Sequence, residues 1–300
     1  MEQAFFTAIC PKCGAELQIP DQLAEFSCMY CGARLSRAEL ERQDTVDMEA
    51  AAADYAAALP ALAGCITRYP GYQRKIVRDE FEAAFSAYQE GCEPVLRQLD
   101  AGVQGTAEEK TALLQKAADR MLDDLSAGWS KRSRQEEDKV ILAIFFVPLA
   151  RKLGLDCGEE FCQLLQETWL SRWPKQPFYL GTYEMISQGF RRKKLCFITT
   201  AVCEAEGKPD DCEELTAFRT FRDDWLLHFP EGKKLVEEYY NIAPGIVVCI
   251  DLCSDRERRY AALRRDDLEP CYDRLLAGDK EGCRERYIGM VEKLKREFLS

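Results

Sequence analysis

The stretch Ile76-Val77-Arg78-Asp79-Glu80-Phe81-Glu82-Ala83-Ala84-Phe85-Ser86-Ala87-Tyr88 decides the fold class. Ile76, Val77, Phe81, Ala84, Phe85 and Tyr88 recur at three- and four-residue spacing, broken only at Glu80. That period lines apolar side chains along one stripe of an α-helix. The same spacing runs on through 72–99 and returns in 108–125, 136–153, 159–172 and 182–191. Gly102, Gly128, Gly154 and Pro174 each follow a periodic run, where helices are expected to stop. An Ala-rich segment at 50–66, punctuated by Pro60, reads as helix too.

The last third continues in the same way. Asp210-Asp211-Cys212-Glu213 has the form of a capping box. The helix it opens is expected to reach about Phe229 and stop before Pro230-Glu231-Gly232. A further helix covers 233–242 and ends at Pro244. Residues 246–252 are short, apolar and β-branched; their neighbours favour helix over strand. Helices at 257–276 and 280–299 close the chain.

Composition bounds the function. The chain has 300 residues, 47% hydrophobic and 31% charged, with 18 Gly and 12 Pro. These are the proportions of a globular protein with enough length for a real core, in one large domain or two to three small ones. Its 41 basic and 52 acidic residues give a net charge of −11. A phosphate-binding surface needs the opposite sign, so nucleic acid is disfavoured, as is an anionic membrane. The apolar run 140–150 is too short to span a bilayer and contains Pro148. The opening Met-Glu-Gln carries no basic, apolar leader, which points to a cytoplasmic protein. In that compartment its fifteen cysteines are expected as thiols or metal ligands, not disulfides. The one histidine, His228, leaves most hydrolase schemes without a base; it reads as a helix-terminal residue.

Residues 1–36 stand apart from the helical pattern. Cys10-Pro11-Lys12-Cys13-Gly14 and Cys28-Met29-Tyr30-Cys31-Gly32 are separated by fourteen residues. Each Cys-x-x-Cys turn aims two thiolates at one centre, and two such turns complete a tetrahedron. Both are followed by the same step, Gly14-Ala15-Glu16-Leu17 and Gly32-Ala33-Arg34-Leu35. The segment resembles a zinc ribbon of the rubredoxin-like knuckle type, which implies structural Zn2+ on Cys10, Cys13, Cys28 and Cys31. Spacing alone also suits iron. Residues 1–41 set Lys12, Arg34 and Arg37 against Glu2, Glu16, Asp21, Glu25, Glu39 and Glu41, so the ribbon is acidic and suits protein docking better than nucleic acid.

A second resemblance lies downstream. Leu195-Cys196-Phe197-Ile198-Thr199-Thr200-Ala201, then 215–226 with Phe221-Arg222-Asp223, then Pro230-Glu231-Gly232, then Tyr239-Tyr240 leading to Pro244, is similar to the bacterial CFI-box domain. That family implies no established activity. Ala217-Phe218 departs from its usual Leu-Arg. Phe218, Phe221, Trp225 and Phe229 form an aromatic stripe expected to be core, flanked by an Arg219–Asp223 pair and by Arg222. Cys196 precedes Thr199-Thr200, read as a helix N-cap, with the basic run 191–194 upstream; both features would favour its thiolate. Phe197 and Ile198 suggest an apolar setting, however, so it is expected as an inert core cysteine. Cys203, seven residues on, shares its helical face and is a candidate redox partner. Cys249 and Cys253 are expected to pack in a helix.

The expected architecture is mainly α: a small N-terminal β zinc ribbon at 1–36, then an all-helical body of about ten helices, divided into 37–192 and a CFI-box-like 193–300. The expected role is non-enzymatic and acts through contact with another protein. The first alternative is a thiol enzyme or redox sensor using Cys196. The second is nucleic-acid binding through a convergence of 191–194 with the basic stretch 256–265.

Overall fold

The structure is a computed structural model that describes residues 5–130, 132–191, 196–253 and 255–299. Two antiparallel hairpins open it. Strand β1 (Phe5–Ile9) pairs with β2 (Glu16–Pro20), Thr7 opposite Gln18, and β3 (Glu25–Ser27) pairs with β4 (Arg34–Ser36), Phe26 opposite Leu35. Strand alternation turns Leu17, Ile19 and Leu35 inward, where they join Ala8, Cys10, Cys28 and Leu40 in a small core of their own.

Helices make up the body, as the apolar period predicts. In chain order they are α1 (Arg37–Leu62), α2 (Gly64–Thr67), α3 (Phe81–Gly102), α4 (Ala107–Ala127), α5 (Arg132–Ile141), α6 (Val147–Lys152), α7 (Gly158–Arg172), α8 (Tyr183–Arg191), α9 (Phe197–Ala205), α10 (Glu213–Asp224), α11 (Pro230–Asp251), α12 (Arg256–Leu263), α13 (Glu269–Leu276) and α14 (Lys280–Phe298). Wide π turns at Leu142–Phe146 and Arg264–Leu268 join α5 to α6 and α12 to α13 into continuous rods. The described residues therefore hold twelve helices, close to the ten expected.

The apolar run 140–150 is the centre of the body. Every residue from Ile141 to Ala150 is buried, which is why this rod is apolar all round rather than along one stripe. Phe145 meets Tyr72, Phe81, Phe85 and Tyr88 at ring separations of 5.3 to 6.1 Å. The buried residues of the body form one cluster from Tyr55 to Leu299, separate from that of the hairpins. Most of α1 and all of α2 make up Asp47–Thr67, a stretch with the length and mean hydropathy (1.3) of a membrane span, which lies outside the apolar run at 140–150. The inner face of α1 packs on α3, where Gly102 leaves no room for a Cβ beside the Tyr55 backbone.

Four expectations give way to tertiary context. Within 72–99 the continuous helix begins only at Phe81: Tyr72–Lys75 is a single 3-10 turn, and the break at Glu80 is the residue that precedes α3. Pro244 does not end a helix, because α11 passes straight through it. The Asn241 carbonyl instead accepts the Arg78 amide at 2.9 Å, and Gly245 lies so close to the Ile76 carbonyl that any Cβ would overlap it. Residues 246–252 accordingly continue α11 almost to its end. The helix opened near 213 stops at Asp224, not Phe229, and a short 3-10 turn at Leu226–His228 leads to Pro230 at the first position of α11. Finally, Asp210 caps nothing. Its carboxylate and carbonyl both accept from Arg219, at 2.5 and 2.7 Å, and Cys212 takes the N-cap position without a side-chain bond. A capping box does form at Thr106-x-x-Glu109 on α4.

Candidate metal centre and the cysteine sites of the helical body

The two knuckles are built by the same local bonds. Gly14 and Gly32 take φ of 71° and 72°, a left-handed turn that glycine enters without strain. The Gly14 amide donates to the Cys10 carbonyl and the Gly32 amide to the Cys28 carbonyl, at 2.9 and 2.8 Å. Cys10 and Cys28 amides donate in turn to Ala15 and Ala33. The repeated Gly-Ala-x-Leu step thus closes each turn and drops Leu17 and Leu35 into the core.

The result is a four-sulfur cluster in which Cys10, Cys13, Cys28 and Cys31 all lie within 4.8 Å of one another. Cys10 to Cys31 and Cys13 to Cys28 each measure 3.7 Å between sulfurs. A tetrahedral ion with metal–sulfur bonds near 2.3 Å would show an edge of about 3.8 Å, which these two separations match. Burial raises the Cys10 thiol, but amides of Lys12 and Cys13 aimed at its sulfur outweigh that and bring it down to about 7. A thiol so placed gives up its proton readily to a metal. The cluster can hold a metal ion, and four sulfurs fill a tetrahedral shell.

Cys196 sits elsewhere than the sequence placed it relative to α9. It is itself the N-cap residue, its carbonyl accepting from the Thr200 amide at 2.7 Å, while Thr199 and Thr200 lie inside the helix. The side chain is buried, 7% exposed, and burial pushes its thiol up while Arg222 and Arg219 pull the other way. Arg222 donates to the sulfur at 3.6 Å, holds Asp223 with two bonds of 2.7 Å, and stands over the Tyr240 ring. The run Arg192–Lys194 lies outside the described residues; among those described, Arg222 from α10 is the cation bonded to Cys196. Arg219 binds Asp210 rather than the expected Asp223.

Cys203 is no partner to Cys196. Seven residues along a helix span about 10 Å, and the Cys203 sulfur instead meets Cys212 and Glu214 within 4.8 Å. Sequence reasoning also missed Tyr239 and Tyr287 as positioning groups. The Tyr239 hydroxyl accepts the otherwise orphaned Ile198 amide at 3.0 Å, and Tyr287 bridges Tyr239 to Thr199 at 3.1 Å each. Tyr239 was visible in its Tyr-Tyr pair; nothing local marks Tyr287. Beside Cys196 lies a cavity of about 100 Å3 walled by Phe218, Phe221, Val236 and Ile242. Of the aromatic stripe, Phe218 and Phe221 are core, Trp225 is half-buried and stacks on Phe221, and Phe229 is exposed. His228 is exposed in the 3-10 turn, and Cys253 donates to the Cys249 carbonyl at the end of α11.

The basic stretch 256–265 does not gather into a patch. Arg258 and Arg259 bind Asp255, Arg259 also binds Glu297, Arg264 binds Glu214, and Arg265 binds Asp266. A cleft of about 1400 Å3 carries seven cationic side chains: Arg134, Lys139, Arg258 and Arg259 pair with nearby carboxylates, and Arg74, Lys175 and Arg296 line it as well.

Compared with known proteins, the chain matches no protein-family model, no curated protein and no solved structure.

Proposed function

We propose that this chain is a non-enzymatic cytoplasmic protein that docks on another protein through a zinc-organised N-terminal ribbon. The observation that carries the reading is the outer surface of the four-cysteine module. Met29 and Tyr30, inside the second knuckle, are 76% and 67% exposed, and Ile9 at the end of β1 is 66% exposed. So much apolar side chain on so small a module is the mark of a surface that meets a partner. The module's acidic balance favours a partner whose apolar patch is rimmed by basic groups, and it opposes nucleic acid or an anionic membrane. Cys10, Cys13, Cys28 and Cys31 would hold Zn2+, which supplies folding free energy to a segment with too little core of its own. Four thiolates leave no coordination position for a substrate, in keeping with a structural role.

The CFI-box resemblance of the C-terminal part is supported by where its motif residues meet. Cys196, Arg222, Tyr239 and Tyr240 come from three helices and pack at one point. In this reading they orient α9, α10 and α11, and Cys196 is core rather than nucleophile.

The test places a photo-crosslinking amino acid at Tyr30 of the full chain in cells. A discrete protein adduct, lost when Cys13 and Cys31 are both changed to Ser, is the expected result. Adducts to nucleic acid, or a discrete adduct indifferent to the ribbon's cysteines, would overturn the reading.

A further inference from the structure

We propose a second metal site, independent of the ribbon, in which Cys203, Cys212 and Glu214 bind a thiophilic divalent cation of the zinc class. Their ligand atoms all lie within 4.8 Å of one another. The three residues come from two helices and the turn between them, so the question is what holds them there.

The turn is rigid for a local reason. Gly207 adopts φ of 70°, its amide donates to Glu204, and the Lys208 amide reaches back to the Cys203 carbonyl, both at 2.9 Å. This double bond pattern is a Schellman cap on α9, and it fixes the exit direction of the chain directly at Cys203. The Cys212 amide then bonds the Pro209 carbonyl at 3.1 Å, which sets Cys212 at the N-cap of α10 and Glu214 in its first turn. Two thiols and a carboxylate are thereby placed before any ligand arrives, and that preorganisation is what a metal site needs.

The charges also balance. Glu214 is ion-paired with Arg264 and with Lys208, and Lys208 also binds Glu206 at 2.9 Å. Two carboxylates and two cations sum to zero around neutral thiols. When M2+ binds, two metal–sulfur bonds form, two S–H bonds break and two protons leave to solvent, so the pocket stays neutral. Glu214 contributes by releasing the flexible Lys208 ammonium while keeping Arg264, which then serves to orient the carboxylate. Three protein ligands leave one tetrahedral position for water, and half-exposed Cys212 gives it a path in. The site is therefore open where the ribbon is closed, and it should bind more weakly.

The probe is Co2+, titrated under reducing conditions into full-length protein with Cys13→Ser and Cys31→Ser, which disables the ribbon. One Co2+ per chain with thiolate-to-cobalt charge-transfer absorption is expected. Adding Cys212→Ser, which keeps a good N-cap and should leave the far-UV circular dichroism unchanged, should weaken binding at least tenfold and roughly halve that absorption per bound ion. Glu214→Gln should weaken binding while leaving the sulfur bands in place. The proposal falls if the ribbon-disabled chain takes up no Co2+, if Cys212→Ser changes nothing, or if the reduced protein proves 2 Da light from a Cys203–Cys212 disulfide. Failure here leaves the ribbon docking test untouched, since the two use different cysteines.

Discussion

The ribbon and the helical body use cysteine in opposite ways. In the ribbon, four thiols converge through two short turns, and the module buries only a handful of side chains around them. In the body, most of the other eleven are buried, and some donate to a second cysteine's carbonyl, as Cys92 does to Cys65 and Cys271 to Cys283. The first arrangement can hold a metal ion where a core would otherwise be needed. Apart from Cys203 and Cys212, the second treats the thiol as a small apolar side chain within a core that already exists. A module with too little buried surface depends on its ligand; a body with one continuous core does not.

The strongest way to break this contrast is to remove the metal. Zinc in small ribbons contributes about 10–16 kcal/mol of apparent folding free energy, so chelation, or Cys13→Ser with Cys31→Ser, should unfold residues 5–36. Amide hydrogen exchange there should become fast while far-UV circular dichroism of the helices is retained. Collapse of the helical signal together with the ribbon would refute the independence of the two regions.

In the body, the next largest effects should come from packing. Phe145→Ala, at the centre of the aromatic cluster, should cost about 3–5 kcal/mol in urea unfolding. Gly245→Ala, forced against the Ile76 carbonyl, should cost about 1–3 kcal/mol. Neither should release the ribbon's metal, and loss of zinc from either folded variant would show the two cores to be coupled.

Base should separate the regions further. Burial pushes the Cys162 and Cys203 thiols up to about 12, above the ordinary 9.0. A raised thiol pKa favours the protonated folded state, so its contribution is complete below about pH 9 and is lost as pH rises from 9 toward 12. Each such thiol should lower unfolding free energy by at most about 1.4 kcal/mol per pH unit in that window. Stability measured by urea at pH 8, 9 and 10 should fall faster in the parent than in Cys162→Ala; equal slopes would count against it. For the same reason Cys196 should resist limiting iodoacetamide at neutral pH, its alkylation appearing only on unfolding. Fast, pH-dependent labelling of the folded chain would instead make it a reactive thiol.

The smallest effect distinguishes the two acidic box sequences. Thr106→Ala should cost about 1 kcal/mol, because its hydroxyl caps Glu109. Asp210→Ala should cost less, since its partner Arg219 is a surface contact rather than a cap. A reversal of that order would mean that α10 is capped in solution as its sequence suggests.

What the sequence determined by itself was whatever depends on neighbours a few residues apart. The three- and four-residue period fixed a helical body, and Cys-x-x-Cys-Gly repeated fourteen residues apart fixed the metal cluster, because the turn bonds are made within the motif. Helix ends were legible at Gly102 and Gly128. Only the tertiary structure decided the rest. Pro244 sits inside α11, whose Asn241 carbonyl accepts the Arg78 amide from more than 160 residues away. Asp210 lost its capping role to Arg219, and Arg222 of α10 came to stand beside Cys196. Cys203 found Cys212 and Glu214 because a glycine cap folded the chain back on itself. Each outcome was settled by a competing partner brought close by packing, and a partner distant along the chain leaves no period or spacing to read.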